Sequence, residues 1–151
     1  MENIELLFHK YKDDVYRLAV SYTRSRQDAE DVCQNVFLKL MKQPQIDPGK
    51  EKSWLMQVTA NECRSLLRSH WWRTTVPIED TLSVSGPETS GVLEALMQLD
   101  PKYRVVVYLH YYEGFHTSEI AGLLKISQSA VTTRLSRARR ELKSILQEDI
   151  V

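Results

Sequence analysis

Apolar residues recur along this chain at steps of three and four, and no run of alternating β-branched residues stands out. Ile4, Leu7, Tyr11, Val15, Leu18 and Tyr22 share one face of a long amphipathic helix spanning about residues 2–25. Ser25, with Asp28 three positions on, is an N-cap signal followed by an acid in the first turn. It predicts a second helix running to about Lys42, with Val32, Val36, Phe37 and Leu40 turned inward. The segment Gln43–Gly49 holds two prolines and a glycine and reads as a loop. A third helix is expected over Glu51–Arg68, with Trp54, Leu55, Val58 and Leu66 on its apolar side.

From Thr74 to Gly91 the composition shifts to Pro, Ser, Thr, Gly and acids without helical periodicity. Such a stretch reads as a flexible linker. Helical signals return at Val92–Leu99, and Pro101, a favoured first-turn residue, opens Lys102–Tyr112. Glu113-Gly114 breaks that helix, and two more follow, Thr117–Lys125 and Gln128–Gln147. The expected fold is all-α. Two small helical domains, 1–75 and 92–151, are joined by the linker 76–91.

The last two helices carry the sharpest chemistry. Ser127 is a good N-cap, and after it Val131, Leu135, Ala138, Leu142 and Ile145 form one narrow apolar stripe. Thr133, Ser136, Arg137 and Arg140 fall on the opposite side. An apolar stripe backed by hydroxyls and guanidinium groups suits a recognition helix lying in a DNA major groove. Hydroxyls pair with either kind of base edge, Arg grips guanine bidentately, and flanking Arg and Lys hold phosphates. Thr132, Arg134 and Lys143 complete this candidate set. Small Ala121 suits close packing between the two helices. Lys125 occupies the turn where a left-handed residue, usually glycine, is preferred. His116 precedes the first of the two helices and predicts weak capping there.

Charge changes the picture only through its distribution. The 151 residues balance 20 Lys and Arg against 20 Asp and Glu, which by itself does not favour nucleic acid. Yet residues 134–143 hold five bases and one acid, whereas residues 76–90 hold three acids and no base. Cys33 and Cys63 lack a metal-type spacing and are expected to be reduced thiols in a cytoplasmic protein. His9, His70, His110 and His116 suggest no metal site, and no cofactor is expected. The N-terminal residues lack the basic and apolar regions of a signal peptide, and no apolar stretch approaches membrane-spanning length. None of G-x-G-x-x-G, G-x-x-x-x-G-K, H-E-x-x-H or G-x-S-x-G is present, so an enzyme is not expected.

Four collinear blocks carry a resemblance. Residues 28–40, Asp28-Ala29-Glu30-Asp31-Val32-Cys33-Gln34-Asn35-Val36-Phe37-Leu38-Lys39-Leu40, resemble the region 2 core of extracytoplasmic-function (group IV) bacterial sigma factors. Ser53-Trp54-Leu55-Met56-Gln57-Val58-Thr59-Ala60-Asn61 is similar to their S-W-L-x-x-I-A-x-N segment. Residues 99–104 with 113–121, and then 130–142, resemble region 4. The long regions of housekeeping sigma factors are missing, as expected for the compact group.

The resemblance implies a factor that binds the catalytic core of RNA polymerase, directs it to promoters and helps melt them. An anti-sigma protein is implied as a restraining partner. Asp31, Gln34, Asn35 and Leu38 match positions that dock on the β′ clamp helices, with Asn35 replacing the usual Glu. They also lie off the apolar stripe of their helix. Asn61 matches a position near the flipped-out base of the −10 element. Arg64, Arg68, His70, Trp71 and Trp72 follow it, mixing cations with aromatics, which suits holding an extruded, single-stranded base. The final helix is then the −35 reader. A helix-turn-helix regulator without polymerase binding is the main alternative. A degenerate relative that occupies polymerase without starting transcription is another.

Overall fold

Three long helices build the first part of the protein in a computed structural model, which describes residues 4–43, 45–72 and 91–148. They are α1 (Ile4–Thr23), α2 (Arg26–Lys42) and α3 (Glu51–Trp72), and each packs on the other two. By contact density the chain divides into two compact units, Met1–Thr81 and Leu82–Val151. All regular elements among the described residues are helical.

In the first unit α1 stops at Thr23, short of Ser25. Arg24 takes a left-handed φ of 55° and reverses the chain, which leaves Ser25 extended as the cap of α2. Its hydroxyl accepts the Asp28 N–H at 3.2 Å, satisfying a donor that a helix start otherwise leaves orphaned. The core is fully enclosed at Val15, Leu18 and Ala19, at Val36, and at Leu55 and Met56.

The apolar side of α3 differs from the sequence expectation. Leu55 is buried, but Trp54, Val58 and Leu66 are half-buried, and the enclosed face is Leu55, Met56, Thr59, Ala60 and Cys63. Thr59 hides this face from a hydrophobicity pattern. Its hydroxyl donates to the Leu55 carbonyl at 2.6 Å, so a polar side chain sits in the core without an unmet bond. The helix also continues one turn past Arg68, to Trp72.

Of the expected linker 76–91, residues 76–90 lie outside the described residues; Gly91 opens α4 (Gly91–Gln98). Next come α5 (Pro101–Val107), a π-helical turn (Tyr108–Tyr112), α6 (Thr117–Leu124) and α7 (Gln128–Glu148). The long α7 packs on α4, α5 and α6. Helices of seven or eight residues are not stable alone, so this unit depends on α7 and on specific ties. One tie is Arg104, only 4% exposed, whose guanidinium donates to the Met97 carbonyl at 3.3 Å and to that of Leu99. These carbonyls close the end of α4, where a helix lacks partners for them.

The helix expected over residues 102–112 forms, but its last turn is wider. The Glu113 N–H bonds the Tyr108 carbonyl five residues back at 3.0 Å, and the Phe115 N–H reaches Leu109 at 3.0 Å. Gly114 supplies the positive φ of 80° this closure needs, and Leu109 and Phe115 are buried.

Candidate nucleic-acid interface

The turn between α6 and α7 sets the direction in which α7 presents its side chains. Lys125 adopts φ 59° and its N–H bonds the Ala121 carbonyl; a non-glycine residue there costs about 1 kcal/mol. Ser127 then caps α7, its hydroxyl accepting the Ala130 N–H at 3.1 Å. Gln128 Nε2 donates to Thr117 Oγ1 at 2.9 Å, tying the two helix starts together. The weak cap expected at His116 is offset, because the Glu119 carboxylate accepts its N–H at 2.9 Å. Ala121 is half-buried; the enclosed residues of α6 are Ile120, Leu123 and Leu124.

On α7 the apolar stripe is buried at Val131, Leu135 and Ala138 and half-buried at Leu142 and Ile145. Thr132, Thr133, Ser136, Arg137, Arg140 and Lys143 are exposed, whereas Arg134 is half-buried on the flank. The Thr132 hydroxyl donates to the Gln128 carbonyl at 3.1 Å, so its proton is committed within the helix.

The other two candidate sets lie in the first unit. Asp31, Gln34, Asn35 and Leu38 are exposed on α2, and Leu38 is 53% exposed. Met41, one turn further along that stripe, is 63% exposed. Sequence reasoning missed it, although its i+3 spacing from Leu38 was the available signal. On α3, Asn61 and Arg64 are half-buried and Arg68 is exposed. Arg64 donates to the Asn61 side-chain oxygen, which joins them in one polar patch. Lys39 on α2 pairs with Glu62 on α3, next to Asn61. The backbone of His70, Trp71 and Trp72 forms the last turn of α3; their side chains lie outside the described residues.

Burial disfavours the thiolate form of both cysteines. Burial, with Glu30 second, pushes the half-buried Cys33 up to about 11. Burial also raises the enclosed Cys63, and the neighbouring Cys33 adds to the shift. Among the described residues, no cluster of His, Cys, Asp and Glu could hold a metal ion. No described helix is long and apolar enough to cross a membrane.

Comparison with known proteins bears on the fold and the family. Residues 7–73 match the Sigma-70 region 2 family and residues 91–142 match Sigma-70, region 4. The ECF RNA polymerase sigma factor SigM of Bacillus subtilis is 29% identical over 97% of each chain. SigL, an ECF RNA polymerase sigma factor of Mycobacterium tuberculosis, is 30% identical over 94% of this chain and 88% of its own. The fold also matches that of the sigma factor RpoE of Bartonella quintana, solved in complex with the anti-sigma factor NepR. That match has a TM-score of 0.76 at 21% identity, over 95% of this chain and 96% of RpoE. Two sigma regions in chain order, and SigL at 30% identity over 94% of this chain, settle the family: this chain belongs to the ECF RNA polymerase sigma factors.

Proposed function

We propose that the protein binds core RNA polymerase in the cytoplasm and directs it to specific promoters as a factor of the compact group IV type. Residues 1–75 serve as region 2, docking on the β′ clamp helices through Asp31, Gln34, Asn35 and Leu38. Asn61, Arg64, Arg68, His70, Trp71 and Trp72 hold the −10 element. Residues 76–91 serve as the linker between the two readers. Residues 92–151 serve as region 4, reading the −35 duplex with Thr132, Thr133, Arg134, Ser136, Arg137, Arg140 and Lys143. An anti-sigma protein restrains the factor, as NepR accompanies RpoE.

The observation that carries this reading is the division of α7 into a buried stripe and an exposed basic and hydroxyl face. A helix built this way fixes its own orientation while leaving donors for base edges and phosphates. Half-buried Arg134 is the member of that set least suited to reach a base. The family relationship favours this reading over a regulator that never touches polymerase. Run-off transcription from a promoter library with purified core enzyme tests it. Sequence-selective transcripts that require the protein are expected. Tight duplex binding without affinity for core enzyme would favour the plain regulator instead.

A further inference from the structure

The π-helical turn puts two adjacent tyrosines, Tyr111 and Tyr112, at the surface, 57% and 61% exposed. An exposed phenol normally gains little from being held, and π turns inside helices often mark functional positions. Tyr111 is engaged at long range in sequence: the Arg139 guanidinium donates to its hydroxyl oxygen at 2.6 Å. Arg139 is exposed on α7, about 100° around the axis from Arg140, on the side of the helix facing the π turn. Lys143 lies one turn further along that same flank and is exposed.

We propose that Tyr111 is a positioning residue that holds Arg139 as a phosphate anchor beside the reading face of α7. This rests on α7 being the duplex reader. A helix about 10–12 Å across fills a major groove about 12 Å wide. Residues opposite the apolar stripe therefore meet bases, and those on the flank meet the groove wall, which is phosphate. The Tyr111 oxygen accepts from the guanidinium, so its own proton remains available to donate to the same phosphate. Holding a long, rotamer-rich arginine in place before binding reduces the entropy lost on contact. The pair supplies affinity and register and carries no base preference.

The test uses the full-length protein and a fluorescent mixed-sequence duplex of about 30 base pairs, titrated across a salt series. R139Q is expected to bind several-fold more weakly on every duplex and to lower the slope of log K against log salt by about 0.9, one phosphate contact. Y111F keeps the charge yet should lose roughly three- to tenfold in affinity. In the R139Q background Y111F should cost markedly less, and thermal melting should be unchanged in all three variants. Additive losses, or an unaltered slope in R139Q, would overturn the anchor. If R140Q and K143Q still lower affinity, the duplex reading survives that failure. If wild type shows no salt-dependent duplex binding, both fall together.

Discussion

The two units solve the same problem, enclosing the apolar faces of amphipathic helices, by different means. In the first, helices of 20, 17 and 22 residues cover one another mutually, and the candidate docking face of α2 lies opposite its buried face. Core and contact surface are separate there. In the second, α4, α5 and α6 have only 8, 7 and 8 residues and gather on α7. The helix proposed to read DNA is thus also the spine of its own core. Position around α7 should decide the consequence of a substitution: inward changes are expected to unfold the unit, and outward changes to alter the recognition proposed for it.

The largest effect that would sharpen this contrast is expected at Arg104. Arg104→Ala removes the donors that satisfy the Met97 and Leu99 carbonyls, so the second unit should lose about 2–4 kcal/mol. Hydrogen exchange resolved by segment should show faster opening of α4 and α5, with α1–α3 unchanged. Equal loosening of both halves would break the comparison.

Next in size is the outward face of α7. Arg137→Ala should cost about 1–3 kcal/mol at one promoter position and relax base preference there, while Lys143→Ala weakens all sequences evenly. Binding measured on a panel of single-base promoter variants separates the two patterns. If both variants lose affinity evenly, α7 holds backbone alone.

On α2 the expectation is the reverse of that at Arg104. Asp31→Lys should weaken binding to core polymerase in a competition assay yet change folding stability by no more than about 0.5 kcal/mol, because the site is exposed. A variant that melts early would show that core and contact surface overlap in this unit too.

The smallest effect concerns Cys33, whose folded pKa of about 11 lies above the ordinary 9.0. Its neutral form is favoured by folding, so this contribution is complete below pH 9 and fades as pH rises towards 11. Alkylation by iodoacetamide at pH 8 should run about tenfold slower in the folded protein than in urea. A rapid folded-state reaction would mean that α2 does not shield the thiol.

Much of this architecture was legible because it depends on local chemistry. The 3.6-residue period marked the long helices, Ser25 and Ser127 announced the two caps, and the opposition of Val131, Leu135 and Ala138 to Arg137 and Arg140 is fixed by helix geometry alone. The four blocks of resemblance added the family and the roles proposed for these residues. Less visible was whatever depends on a partner distant in sequence. Thr59 reads as polar until its own helix satisfies it inside the bundle. Arg104 reads as one more surface cation until the end of α4 is brought against it. Arg139 was lost in a run of charges because Tyr111, 28 positions away, is what distinguishes it. Sequence by itself therefore determined which segments become helices and, α3 apart, which of their faces are apolar. The tertiary structure decided which polar groups go inside and which exposed groups are held, since a buried or ordered polar side chain needs a partner that only folding supplies.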